Sequence, residues 1–186
     1  VCSFPNSRCG DYSASLSPNV GGELANIRHN LSFNDKVPTM NSPQQIAKEI
    51  GLTFTDVKPG YLNLCAKAGN LLFTSGHTSD MKGKLGRDLT VEQGYAAARE
   101  CMVKILNSVH FAHGTLNGLR CVKLLGCVNS TLDFTDQHLV INGASDLVHQ
   151  LYGKDGDGWH ARSALGFASL PTGPAVEVEA IFEIKG

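Results

Sequence analysis

Hydrophobic residues along the chain follow two periods, and each change of period marks an element. Near the C-terminus Val176, Val178, Ala180, Phe182 and Ile184 alternate with Glu177, Glu179, Glu183 and Lys185, broken only by Ile181. A period of two sends successive side chains to opposite faces, so this run predicts a strand with one apolar face. Tyr95, Ala98, Met102, Ile105, Leu106 and Val109 instead recur at helical spacing. Thr90 and Gln93 open that helix as a capping box, and it ends near Gly114. Residues 133–153 repeat the helical pattern, with Val140, Ala144, Leu147, Val148 and Leu151 on one face and Gly153 as the stop. Asn142, Ser145, Asp146 and His149 fall on or near its other face, where solvated polar residues are expected.

Residues 119–128 form the strongest internal strand. Its two faces, Cys121, Lys123, Leu125 and Cys127 against Val122, Leu124, Gly126 and Val128, are both largely apolar. A strand covered on both sides needs more than its own helices, which in a domain this small points to another subunit. Upstream, Ser42-Pro43-Gln44-Gln45 predicts a helix start with a stop at Gly51. Two short strands follow over 61–67 and 70–75, joined by a turn at Ala68-Gly69-Asn70. From there on the order is strand, strand, helix, strand, helix, strand, strand. The expected fold is α+β, a mixed sheet with two helices on one face. Residues 1–42 are rich in Ser, Asn, Gly and Pro with no clear period, and are expected to form an extension, disordered or draped on a surface, ahead of a domain over 43–186.

Composition narrows the function. With 16 Lys+Arg against 17 Asp+Glu the formal charge is −1, and no block of like charge occurs, so the electrostatic case for nucleic acid or an acidic membrane surface falls away. No apolar run approaches the roughly 18 residues of a membrane span. Cys65, Cys101, Cys121 and Cys127 lie inside apolar patterns and read as reduced core thiols, the last two on the same strand face but too far apart to bridge, while Cys2 and Cys9 are free to pair. No P-loop, dinucleotide glycine motif, nucleophile elbow or zinc spacing is present.

The candidate chemistry lies in the stretch from Trp159 to Gly186. Pro171-Thr172-Gly173-Pro174 predicts a reversal that sets Arg162 and Glu177 on paired neighbouring strands. A guanidinium offers a planar fork of donors to a carboxylate, and a nearby carboxylate holds a water or moves a proton. The pair therefore reads either as a site for a small carboxylic acid or, more simply, as a cross-strand ion pair on a solvated face. At Thr74-Ser75-Gly76-His77 a glycine at a strand end lets backbone N–H groups approach a ligand, or marks an ordinary turn.

With these pieces placed, the chain from about Pro59 to Gly186 resembles the RidA/YjgF family of reactive-intermediate deaminases. The resemblance rests on Gly69-Asn70 before Thr74-Ser75-Gly76, on Asp133-Phe134 with Asn142, on Ala161-Arg162-Ser163, and on Leu170-Pro171 with Glu177-Val178-Glu179-Ala180. It implies a chorismate-mutase-like homotrimer around a central β-barrel, with clefts between subunits. It further implies that Arg162 binds a substrate carboxylate, that backbone near Ser75 and Gly76 lines the cleft with Asn142 nearby, and that Glu177 positions water.

The implied reaction is hydrolysis of 2-imino or enamine acids to 2-oxo acids and ammonia, without metal or organic cofactor. Two departures stand out. Ala164 occupies a position that is often Cys or Ser in the family, leaving only its backbone N–H to serve. The expected tyrosine falls at Leu62, with Tyr61 one place early, so Tyr61 needs a bulge to take that role. The alternatives are a non-catalytic module that senses or carries 2-oxo acids in the same clefts and, more weakly, an endoribonuclease. The extension suggests recruitment into a larger assembly through Leu16, Val20, Leu24 and Ile27, and the expected compartment is the cytoplasm or the mitochondrial matrix.

Overall fold

The computed structural model describes residues 41–58 and 60–186. The extension up to residue 40, its Cys2 and Cys9 and its apolar docking residues lie outside the described residues. The elements run α1 (Pro43–Glu49), β1 (Cys65–Ala68), β2 (Leu71–Thr74), β3 (His77–Thr78), α2 (Val91–His113), β4 (Leu119–Asn129), α3 (Gln137–Tyr152), β5 (Ala161–Phe167) and β6 (Val176–Ile184). A tight turn over Gly153–Asp157 follows α3. No helix among these residues is long and apolar enough to cross a membrane.

Local chemistry accounts for the helix ends. The side chains of Ser42 and Thr90 accept from the backbone N–H of Gln45 and Gln93, whose own side chains return the bond and complete both capping boxes. Gly114 stops α2 in the left-handed region at φ 85°. α3 starts at Gln137, later than the expected Asp133, because Thr131 O takes the Phe134 N–H and the Gln137 side chain donates to Phe134 O at 2.7 Å, which fixes a turn ahead of the helix. β1 likewise starts at Cys65 and not at Tyr61, which lies in a bend before it.

The sheet runs β1-β2-β6-β4-β5, antiparallel except for the β4–β5 pair, with β3 also on β6. It is the expected mixed α+β sheet, with α1 as a third, short helix whose Ala47 is buried beside the body of the domain. α2 and α3 cover one face, over Leu72, Leu124, Val128, Val176, Val178, Ala180 and Phe182. Burying a side chain such as Phe182 contributes about 1.5–3 kcal/mol. Gly143 lets α3 touch α2, since a Cβ there would strike the Tyr95 carbonyl oxygen.

Two bulges set which side chains face the helices. Along β6 the register slips by one residue between Thr74 and His77, which throws Ser75-Gly76 out of the ladder, and Thr74 Oγ1 accepts the Ala180 N–H at 2.9 Å. In β4, Cys121 pairs with Phe182 and Lys123 with Ile181, so Val122 is the extra residue. The bulge corrects the expected alternation: Cys121 is buried, whereas Cys127 lies on the opposite, open face. That open face carries no helix, and Phe73, Leu165 and Phe167 are 39–48% exposed on it.

The sheet order also corrects the central expectation about the site. β5 and β6 are not neighbours, because β4 lies between them. The turn at Pro171-Thr172-Gly173-Pro174 does reverse the chain, with Thr172 at φ 67° and Gly173 at φ 79°, but it carries β6 past β4. Arg162 is aligned with Leu124, and Glu177 with Cys127. An odd offset of three rows puts them on opposite faces, on the order of 14 Å apart along the backbone lattice. Within one chain they form neither an acid-binding pair nor a cross-strand ion pair.

Candidate functional site

Arg162 points to the helix-covered face from the edge strand β5, in the row of the buried Leu124. Its Nη1 donates to Asn142 Oδ1 at 2.9 Å and to Ser145 Oγ at 3.0 Å, both on α3. Neither acceptor is charged, and among the described residues no carboxylate is paired with this guanidinium and nothing accepts from its Nε or Nη2. Burial lowers its pKa, and the charge of Asp146 opposes that shift. The result is a half-buried cation oriented by two neutral oxygens with most of its donor fork left over.

His160, two residues before Arg162, fixes the direction of these bonds. Its Nδ1 lies 2.6 Å from Gly158 O and its Nε2 lies 3.0 Å from Ser145 Oγ. A carbonyl oxygen only accepts, so Nδ1 carries the proton and Nε2 accepts from the Ser145 hydroxyl. Ser145 therefore donates to His160 and accepts from Arg162. Burial lowers the His160 pKa, the hydrogen bond to Gly158 opposes this, and the nearby His149 and Arg162 lower it further.

An open cavity of about 500 Å³ adjoins the guanidinium. Besides Arg162, Asn142, Ser145 and His160 it is lined by Asp146, His149, Lys154 and Trp159. The His149 ring lies 5.2 Å from that of His160, and its Nδ1 is 3.9 Å from Asp146 Oδ1, beyond hydrogen-bond range. The other oxygen of Asp146 accepts from Tyr95 Oη at 2.9 Å. Three cationic or titratable nitrogen side chains and an arginine thus face one tethered carboxylate, and such a cavity favours an anion. No group of three or more His, Cys, Asp or Glu among the described residues is disposed to hold a metal ion.

The residues expected at the site separate into several places. Arg162 and Asn142 meet as described. Glu177 lies on the open face against Gly76, where a Cβ would collide with its carboxylate, so the glycine is needed for that close approach. Ser75 is engaged within its own loop, its Oγ donating to Asn63 O at 2.8 Å and its N–H to Leu64 O at 3.0 Å. Ala164 lies two positions beyond Arg162 on the helix-covered face, packed against the core. Tyr61 is fully exposed and borders a different cavity of about 280 Å³, with Leu62, Cys65, Ser108 and Phe111.

Sequence reasoning does not single out Ser145, His149, Lys154, Trp159 or His160 for the site. Part of the signal is there, because Asn142, Ser145 and His149 recur at spacings of three and four and so share one helical face. Ser145 is 4% exposed, which corrects its expected place among solvated residues.

Comparison with known proteins agrees with this architecture. Protein TCP17 of Trypanosoma cruzi is 48% identical over 106 residues, which cover 56% of this chain and 66% of that protein's length. A solved structure of Atu1372 from Agrobacterium tumefaciens, a protein of unknown function, is 39% identical with a TM-score of 0.68, over 77% of this chain and 94% of that one. An endoribonuclease candidate from Shewanella oneidensis is 26% identical with a TM-score of 0.70, over 77% and 99% of the two chains. Residues 55–184 match the family described as Endoribonuclease L-PSP, and the chain belongs to it, that is, to the RidA/YjgF family.

Proposed function

We propose that this protein hydrolyses 2-imino or enamine acids to 2-oxo acids and ammonia, with the substrate carboxylate held by Arg162. The observation that carries the proposal is the half-free guanidinium in a cationic cavity, held by Asn142 and Ser145 with no carboxylate paired to it among the described residues. A carboxylate matches the remaining donors in a bidentate geometry. An imine is already electrophilic at C2, so holding its acid group while placing water and moving protons supplies the catalysis it needs. Membership of the RidA/YjgF family, which includes imine deaminases and is generally homotrimeric, supports the same activity and a trimer. The uncovered open face, with Phe73, Leu165 and Phe167 partly exposed, supports subunit packing there. In such a trimer Glu177 reaches a substrate only from a neighbouring copy.

The test is ammonia release from imines generated in situ by an amino-acid oxidase. The full chain accelerates it and Arg162→Ala abolishes the acceleration; no acceleration with any imino acid overturns the proposal. A second proposal, a module that binds 2-oxo acids without turnover, draws support from Ala164 and from the distance between Arg162 and Glu177 in one chain. Calorimetry with 2-oxobutanoate beside the deaminase assay separates the two. Endoribonuclease activity, suggested by the family's description, is disfavoured by the balanced charge. The buried free thiols Cys65, Cys101 and Cys121 support a reducing compartment, cytoplasm or mitochondrial matrix.

A further inference from the structure

We infer that His149 is the group that moves protons in the Arg162 cavity, a role distinct from the water positioning that the family resemblance implies for Glu177. The inference rests on the deaminase proposal and deepens it. It follows from the hydrogen-bond inventory of the cavity wall. Asn142 and Ser145 are occupied in holding Arg162. Both ring nitrogens of His160 are engaged, one by Gly158 O and the other by Ser145 Oγ. One carboxylate oxygen of Asp146 is bound by Tyr95. His149 alone combines an imidazole with ring nitrogens that make no hydrogen bond among the described residues, on the wall that Arg162 also lines. Glu177 of the same chain, by contrast, projects from the opposite face of the sheet, so that only a neighbouring copy's glutamate is placed to reach this cavity.

The surroundings of His149 suit this work. Asp146 lies one helical turn before it and is held in place by Tyr95, and at 3.9 Å from Nδ1 its carboxylate leaves both ring nitrogens of His149 without a hydrogen bond among the described residues. The His160 ring lies 5.2 Å away and is tilted by 37°. Lys154 from the turn after α3, Arg162 from β5 and, on α2, Tyr95 with Arg99 are the other charged or titratable groups around it.

In the reaction, water oxygen adds to C2 of the iminium and forms the C–O bond, the C=N π bond opens onto the nitrogen, and His149 takes one proton of that water. The resulting carbinolamine nitrogen then receives the proton from His149, the C–N bond breaks, ammonia leaves, and the hydroxyl proton passes to solvent as C2 becomes a carbonyl. One water is consumed and nothing is oxidised or reduced.

The test measures steady-state deamination and 2-oxobutanoate binding side by side for the full chain, His149→Gln, His149→Ala and Glu177→Gln. The expected result is a fall in kcat of about a hundredfold or more in both His149 variants. Binding of 2-oxobutanoate stays within about threefold. Imidazole added to His149→Ala restores part of the rate, and the low-pH limb of the kcat profile disappears in His149→Gln; a merely structural role gives neither effect. Unchanged kcat and pH profile in His149→Gln overturn the inference while the deaminase proposal stands, provided Arg162→Ala remains inactive. Loss of kcat in Glu177→Gln alone overturns it in favour of the glutamate. Absence of turnover by the unaltered chain overturns both together.

Discussion

His77 and His160 make the same clasp in two places, and only one of the two belongs to a candidate site. Each histidine directs Nδ1 to the carbonyl two residues earlier, Ser75 or Gly158, and accepts at Nε2 from a helix serine, Ser108 of α2 or Ser145 of α3. Both clasps pin a strand, or the approach to one, against a helix. The difference lies in what else the serine touches. Ser108 Oγ has no other hydrogen-bond partner among the described residues, and the cavity beside it includes Val57, Leu62, Leu64, Phe111 and Ala112 in its lining, with Lys58 as its one charged residue. Ser145 Oγ also accepts from Arg162, and the cavity beside it is polar and cationic. A buried serine–histidine pair is therefore a structural fastener by default; it contributes to a binding site when its spare lone pair orients a charge that faces solvent.

The comparison is tested first where the effect is largest. Arg162→Ala removes the charge that distinguishes the two clasps, and kcat/KM for imine hydrolysis falls by about a hundredfold or more, while the urea midpoint changes little. Next, the two serines exchange phenotypes. Ser108→Ala leaves the buried Nε2 of His77 without a donor and costs about 1–3 kcal/mol of stability in urea titrations, with deaminase activity kept at temperatures where the variant is folded. Ser145→Ala instead loosens Arg162, and 2-oxobutanoate affinity measured by calorimetry falls by about tenfold.

Acid sharpens the comparison further. Burial lowers the pKa of His77, with its bond to Ser75 O opposing the shift and Lys104 adding to it. A lowered folded value means that the unfolded chain takes up protons first. The contribution is therefore complete above the ordinary histidine value of about 6.5 and is lost as pH falls through the lower folded value. Urea midpoints measured from neutral pH downward decline over that window, and His77→Gln flattens part of the decline. The smallest effect is expected at the cavity mouth, where Lys154→Gln weakens 2-oxobutanoate binding by about two- to threefold in dilute buffer and not at all in about 1 M salt.

Much of the fold is legible in the sequence because it depends on local periodicity and capping. The boxes at Ser42 and Thr90, the stops at Gly114 and Gly153, and the alternation of β6 all follow from contacts a few residues apart. What was not legible is non-local. Whether β6 pairs with β5 or with β4 depends on which edge the α3 crossover reaches, and the intervening turn residues are compatible with either. The slips at Ser75-Gly76 and at Val122 arise from pairing geometry that alternation alone does not display.

The candidate site shows the same division. Arg162 and Asn142 were legible as members of a recognisable pattern, and they meet. Ser145 and His160 were not, because the bond joining them spans a loop and a helix face that sequence reasoning assigns to solvent.

The extra residue in β4 makes that strand two strips of opposite handedness in composition. Before Val122, odd-numbered residues such as Cys121 are interior; after it, even-numbered residues such as Leu124, Gly126 and Val128 are. Loss of Val122 alone would remove the bulge and leave Cys121, Leu124, Gly126 and Val128 facing the helices and Lys123 and Cys127 on the open side, whereas loss of one residue after it, with the bulge kept, would turn over every side chain beyond the gap. A single-residue gap within β4 is accordingly expected at Val122 and not beyond it.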